Sequence, residues 1–182
     1  MNKKAVLLIT LCVITTIACK SGPTQQVSSV VAAAPSPSTV KPVVYVTDKA
    51  NVIDEATRKQ LETTLAALKE HKKIDFSVVT IPSIDDNDIY DYSLGLAQDR
   101  KKERDSVEQN VAMLLLLVSV DDRQWHVQIT RDLESHLTNE ILRSMSIPMT
   151  DAFRQKQYGE GIRKYVNAVI AKLDQLGIPD QV

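Results

Sequence analysis

The chain has 182 residues, of which 43% are hydrophobic and 25% charged, an ordinary globular composition. Its formal net charge of −1 and its aromatic content of 4% argue against binding nucleic acid, because such proteins carry basic patches and stacking surfaces. Both cysteines, Cys12 and Cys19, lie near the start, so the remainder has no disulfide, thiol nucleophile or cysteine-ligated metal.

The N-terminus has the organisation of an export signal that ends in an acylated cysteine. Two lysines precede an uncharged, mostly apolar run over residues 5–14. That run is shorter than the roughly 20 apolar residues that a membrane-spanning helix needs. Ala18 followed by Cys19 resembles a lipoprotein processing site, although Thr16 stands where a larger aliphatic residue is usual. We therefore predict a signal peptide over 1–18 and a lipid on Cys19, with an ordinary cleavable signal or an uncleaved anchor as alternatives.

A polar tether is predicted next, over residues 19–41. It is rich in Ser, Pro, Ala and Gln, it contains no aromatic residue, and it cannot bury enough surface to order itself. Its expected reach is about 25 Å. The sequence thus predicts attachment to a membrane of the cell envelope through the lipid, on its periplasmic face or at the cell surface.

The folded part is predicted to span residues 42–177, followed by a tail over 178–182. A β-rich run over 42–46 comes first, then a helix from Glu55 to about Lys72. The apolar run 76–81 predicts a buried strand, and a second helix follows the acidic residues 85–88. Residues 111–120 are the most apolar part of the mature chain and predict a central strand that is covered on both faces.

A hairpin is predicted after that strand, with Asp121 and Asp122 in its turn. The following strand alternates, which predicts a core-facing Trp125 and a solvated His126. Two helices, over about 133–145 and 151–176, complete the order β-α-β-α-β-β-α-α. This order predicts a single α/β domain with a mixed, roughly four-stranded sheet and helices on both faces, a Rossmann-like sandwich.

Five stretches of this folded part resemble the TPM domain, a family named for a thylakoid-lumen protein, a photosystem II repair protein and an acetylcholine-receptor modulator. The likeness covers roughly residues 43–175, and the order and spacing of the stretches carry it. They are YVTDKANVID (45–54), DFSVVTIPSID (75–85), AMLLLLVSVDDRQWHVQIT (112–130), RDLESHLTNE (131–140) and AFRQKQYGEGI (152–162).

Several positions depart from the family pattern. Thr130 and Asp132 replace two glycines of the family's G-x-G-L-E segment, and Gln109-Asn110 is the nearest counterpart of its Asp-Asn-Gly. Members described as phosphatases or calcium binders would use acidic residues near these turns. Losing glycines restricts close backbone approach to a ligand, which argues against catalysis and metal binding here.

Asp48 and Glu134 are the candidate metal ligands. Asp48 follows the first strand, at an end where α/β sheets place ligands, and Glu134 is retained from the family's Leu-Glu pair. If both lie at one sheet edge, Ca²⁺ or Mg²⁺ is the candidate ion. The alternatives are a turn-capping aspartate and a first-turn acid of a helix.

Three functional hypotheses follow. The first is a non-catalytic accessory domain that binds an envelope protein; it tolerates the lost glycines and ranks ahead. The second, implied by the resemblance, is a metal-assisted acid phosphatase, and the third is a low-affinity calcium-responsive binding module.

Overall fold

The computed structural model describes residues 43–104 and 111–177, which form four strands and five helices. The predicted signal peptide, Cys19, the tether and the tail lie outside the described residues. The strands are β1 (Val46–Asp48), β2 (Ile74–Ile81), β3 (Ala112–Ser119) and β4 (Gln124–Ile129). The helices are α1 (Glu55–Lys72), α2 (Ile89–Lys102), α3 (Arg131–Glu134), α4 (Asn139–Arg154) and α5 (Tyr158–Gln175).

The strands form one mixed sheet in the order β1-β2-β3-β4. β1, β2 and β3 run parallel, whereas β4 runs antiparallel to β3 as the second arm of a hairpin. The sheet therefore has one edge at which the carboxyl ends of β1, β2 and β3 meet. The fold predicted from the sequence, a single α/β domain with a four-stranded mixed sheet, is confirmed.

The central strand β3 is buried on both faces, as its apolar run predicts. Leu114, Leu116 and Val118 pack into the larger core with α1, α4 and α5. The alternate residues Met113, Leu115 and Leu117 pack against α2 in a smaller core on the other face. Because successive strand residues point to opposite faces, one continuous apolar run supplies both cores.

Aspartate side chains cap the amino ends of α1 and α2. Asp54 accepts a hydrogen bond from the Thr57 amide at 2.9 Å and starts α1 at the predicted residue. Asp88 accepts from the Tyr90 amide at 2.8 Å and starts α2. These bonds satisfy amides that the first helical turn leaves free.

The first strand begins at Val46, whereas its predicted start, Pro42, lies outside the described residues and residues 43–45 are not part of a strand. The carboxylate of Glu62, on α1, accepts hydrogen bonds from the amides of Tyr45 and Val46 at 3.1 and 2.9 Å. The Tyr45 amide, just before the strand, is thus bonded to a side chain.

The C-terminal helices also differ from their predicted bounds. α4 begins after the capping Thr138 and continues through Pro148, where the prediction placed a break. The buried Met149 and Ala152 lie beyond the proline on the face that packs in the core. Burial of that face offsets the lost backbone hydrogen bond. The chain instead leaves the helix at Lys156, whose backbone is left-handed, with φ of 60°.

No helix within residues 43–104 and 111–177 has the length and apolar character needed to cross a membrane.

Candidate functional site

Asp48 lies where the sequence predicts it, at the carboxyl end of β1. Its carboxylate accepts hydrogen bonds from the amides of Val52 and Ile53 at 3.1 and 2.9 Å. The Thr80 hydroxyl, at the end of β2, donates a third hydrogen bond to the same oxygen as Val52. Asp48 thus holds the loop that leads into α1 and ties it to the neighbouring strand.

An open cavity of about 670 Å³ lies beside Asp48, and charged residues of both signs line it. Asp54 caps α1, and Glu55 forms an ion pair with Arg58. Ca²⁺ takes six to eight oxygen ligands, and here the carboxylates are bonded to protein donors while a guanidinium shares the space. Nowhere in the described part of the chain do three or more His, Cys, Asp or Glu side chains converge as a metal site would require. In this structure the carboxylate of Asp48 caps the loop that leads into α1.

Glu134 does not lie beside Asp48, and the two candidate ligands do not share one edge of the sheet. Glu134 ends α3, which follows the carboxyl end of the antiparallel β4. That end lies beside the amino end of β3, where Ile129 pairs with Leu114 and the Thr130 hydroxyl accepts from the Met113 amide at 3.1 Å. Because eight residues of β3 span about 26 Å, Asp48 and Glu134 lie at opposite edges of the sheet. The antiparallel direction of β4 is the cause.

The Thr130 position does not need the glycine that the family pattern has there. Its backbone, with φ of −80° and ψ of 153°, is extended and open to any residue. The threonine side chain bonds β3, so the departure has a structural role.

The hairpin turn uses Asp122 as a local clamp, which agrees with its predicted turn role. Its carboxylate accepts hydrogen bonds from the Ser83 hydroxyl at 3.0 Å, the Ile84 amide at 2.8 Å and the Ser119 hydroxyl. These bonds, with that of Ser119 first, hold the pKa of Asp122 below its ordinary value.

The alternation of β4 is present, but His126 is not the solvated side chain that we predicted. Its ring packs edge-on against Tyr90 of α2, with 5.4 Å between the ring centroids. Burial lowers the pKa of His126. Trp125, on the other face, is half-buried against the larger core, and its ring centroid lies 6.2 Å from that of Tyr165.

A buried ionic cluster joins the amino ends of three strands. The carboxylate of Asp75, 2% exposed, is paired with Arg100 at 2.8 Å and with Arg104 at 2.5 Å. The two guanidiniums also donate to the carbonyls of Val44 at 2.9 Å and Val111 at 3.0 Å. Burial raises the pKa of Asp75, but the hydrogen bond and charge of Arg100 and the charge of Arg104 outweigh it and hold the pKa below its ordinary value.

Sequence reasoning missed this cluster. It treated residues 100–110 as a charged connection, either a helix extension or a mobile loop. In the structure Arg100 belongs to α2 and Arg104 anchors its end, while residues 105–110 lie outside the described residues. No local pattern marks Asp75 as their partner, because the pairing spans 25 and 29 positions in the chain.

Comparison with solved structures places this fold among known domains. The N-terminal domain of a protein from P. gingivalis is 27% identical, with a TM-score of 0.65, over 76% of this chain and 87% of that one. The BA42 protein from Bizionia argentinensis has a TM-score of 0.56 at 10% identity, over 68% and 82% of the two chains. The N-terminal domain of a protein from Corynebacterium glutamicum has a TM-score of 0.55 at 16% identity, over 76% and 84%. The last two likenesses concern the fold alone.

No curated protein matches the sequence. A family model does match: the model of the TPM domain covers residues 46–172, from the first residue of β1 into the last turn of α5. That match covers most of the chain and all the elements of the sheet, and the resemblance read from the sequence agrees with it. This chain belongs to the TPM domain family.

Proposed function

We propose that this chain is a lipid-anchored lipoprotein of the cell envelope whose TPM domain is a non-catalytic module that binds an envelope protein. The observation that supports a non-catalytic role is that the Asp48 carboxylate already accepts hydrogen bonds from the protein itself. The donors are two loop amides and a neighbouring hydroxyl, and the second candidate ligand, Glu134, belongs to the other edge of the sheet. The anchor rests on the sequence before residue 20.

A metal-assisted phosphatase would need a different arrangement. Such enzymes hold their ions with converging carboxylates, so that the metal can activate water and neutralise the charge on the phosphoryl group. Here Arg58 adds a positive charge beside Asp48, and it pairs with Glu55. This geometry favours the binding module over the enzyme.

Phosphate release tests the ranking directly. The full chain, Asp48→Asn and Glu134→Gln are each incubated with p-nitrophenyl phosphate in the presence of Mg²⁺ or Ca²⁺. We expect no release above the blank from any of them. The phosphatase would be favoured if the unchanged chain released phosphate and Asp48→Asn abolished that release. Glu134→Gln is the matched acid-to-amide control.

Calcium binding is tested by thermal unfolding with and without the ion. The loops around Asp48 lack a converging set of free carboxylates, so we expect a Kd of about 0.1–1 mM or weaker. At 1 mM, calcium then stabilises the fold by no more than about 1.5 kcal/mol. A larger stabilisation by calcium, if Asp48→Asn removed it, would favour the calcium-responsive module.

The binding role is tested by mild detergent extraction of native membranes that contain the tagged full chain. A module of this kind should co-purify with one envelope protein in a fixed ratio, and should keep it after purification at moderate salt. Recovery of the chain alone contradicts the proposal.

A further inference from the structure

A second cavity, separate from Asp48, lies between the β3–β4 turn and the junction of α4 with α5. Its volume is about 540 Å³, within the range of small-molecule sites. The hairpin contributes Arg123 and Trp125, and the helix junction contributes Phe153, Arg154 and Lys156. None of the residues considered as metal ligands lines it.

The lining of this cavity is positively charged. Arg123, Arg154 and Lys156 border it, and no acidic side chain among the described residues does. Arg154 pairs with Asp151, but these side chains are 77% and 54% exposed, so the pair is weak and readily exchanged. Within the part of the chain that the structure describes, no carboxylate pairs with Arg123 or Lys156.

The neighbouring acid of the hairpin does not neutralise this charge. Asp122 precedes Arg123 in the turn, yet its carboxylate is bonded to Ser83, Ile84 and Ser119. It is therefore held by the loop after β2 and does not line the cavity.

Arg123 and Lys156 both have left-handed backbones, in which glycine is usual. Arg123 is the last residue of the hairpin turn, with φ of 55°, and Lys156 follows α4 with φ of 60°. At Lys156 the amides of 156 and 157 donate to Phe153 and Ala152 at 2.9 and 3.0 Å, the pattern that ends helices in a left-handed residue. A side chain in this conformation costs about 1 kcal/mol. Lys73 is also left-handed, but its ammonium donates to the Glu70 carbonyl at 3.0 Å, whereas Lys156 lines the cavity.

Aromatic side chains form much of the apolar part of the wall, together with Val118 and Val120. Trp125 comes from the hairpin, and the rings of Phe153 and Tyr158 come from the helix junction with their centroids 5.1 Å apart. Flat rings stack on aromatic side chains, and guanidiniums pair with phosphate or carboxylate oxygens. The cavity thus combines groups that recognise a planar apolar body with groups that recognise an anion.

We propose that this cavity binds a small organic anion in which a phosphate or carboxylate is carried on a flat ring. The anion lies among Arg123, Arg154 and Lys156, and the ring lies against Trp125. The site is independent of the proposed binding-module function, which rests on Asp48 and Glu134.

Trp125 provides the test, because it is the only tryptophan of the chain. The full chain in mild detergent is titrated with phenyl phosphate, phenylacetate, inorganic phosphate and phenol while tryptophan fluorescence is recorded. We expect a saturable change with phenyl phosphate or phenylacetate at concentrations up to about 10 mM, and at least about tenfold weaker binding of phosphate alone and of phenol. Whichever of these two aromatic anions binds more tightly shows whether the site prefers a phosphate or a carboxylate. Added salt should weaken binding.

Variants localise the binding. Arg154→Gln and Lys156→Gly should each weaken it about tenfold, the loss expected for a charged hydrogen bond. Lys156→Gly places glycine where the backbone favours it, so the fold should be retained. Arg143→Gln is the matched control. Arg143 is an exposed arginine of the same helix that lines a neighbouring cavity, and that cavity shares Arg123 and Trp125 with the proposed site. Because Trp125 would report binding in either cavity, the two arginines distinguish them: Arg143→Gln should change binding less than twofold. Phenol binding as tightly as phenyl phosphate, no saturable change with either aromatic anion, or a loss in Arg143→Gln that equals the loss in Arg154→Gln would overturn the proposal.

Discussion

At the scale of single residues, the buried charge of Asp75 decides how the amino ends of the strands are held. One carboxylate that is 2% exposed faces two guanidiniums that are 19% and 7% exposed. Charges so far from water are tolerated only when they are paired and hydrogen-bonded. The cluster joins α2 to β2 and to the segments that precede β1 and β3.

Asp75→Asn should therefore destabilise the fold by about 3 kcal/mol, because it leaves two buried guanidiniums without a counter-charge. Urea unfolding, followed by circular dichroism, measures the loss. Asp99→Asn is the matched control, since Asp99 pairs with Lys102 on the surface with both side chains 73% exposed. The control should change stability by less than about 0.5 kcal/mol, and an equal loss in both variants contradicts the special role of Asp75.

The same residue predicts an acid dependence. The pKa of Asp75 is lower in the folded chain than its ordinary value of 3.8, so folding is favoured while the group is ionised. The stabilisation is fully present above the ordinary pKa and is lost as the pH falls from there through the folded pKa. Between pH 4 and pH 2 the free energy of unfolding should fall more steeply for the wild-type chain than for Asp75→Asn. If the free energy of unfolding, measured by urea titration at each pH, falls equally with pH in both chains, Asp75 does not contribute to the acid dependence.

At the scale of elements, two helical glycines have opposite surroundings. A Cβ on Gly161 of α5 would lie 2.9 Å from the Met149 carbonyl oxygen and 2.9 Å from the Phe153 ring, both on α4. A Cβ on Gly95 of α2 would meet nothing within 4 Å. Gly161 therefore sets how closely α4 and α5 pack, whereas Gly95 has no packing role.

Gly161→Ala should lower stability by about 2 kcal/mol, because α4 must move away from α5. Gly95→Ala should instead raise it by up to about 1 kcal/mol through the better helix propensity of alanine. Thermal unfolding of the two variants measures the difference. A Gly161→Ala chain that is as stable as Gly95→Ala would mean that the helix contact is looser than described.

At the scale of the whole molecule, the proposed anchor depends on one thiol. Cys19→Ala should release the chain from membranes or leave an unprocessed precursor, because only Cys19 follows a small residue at a plausible processing site. Cys12→Ala is the matched control and should remain membrane-bound with the mature mass. Fractionation and mass spectrometry measure both variants. If Cys19→Ala also stays membrane-bound at the mature mass, the lipoprotein proposal is wrong.

The sequence predicted most elements, and the misses have a common cause. The start of α1, the buried β3 and the hairpin were predictable, since capping and alternation act over a few neighbouring residues. Pro148 misled the prediction, because burial of one face of α4 outweighs the local cost of proline. Among candidate site residues, Asp48 was found at its predicted strand end, but its partner was not.

The sequence by itself determined the family, the fold class and the strand order along the chain, because these depend on local apolar patterns and on the spacing of five stretches. Tertiary structure alone decided which charged groups meet. The antiparallel direction of β4 separates Glu134 from Asp48. The parallel pairing of β2 with β3 brings Asp122 within hydrogen-bond distance of Ser83. The α4–α5 junction brings Lys156 to the cavity that Arg123 also lines. Electrostatic contacts depend on distance in space, and residues far apart in sequence acquire that distance only when the sheet and helices have packed.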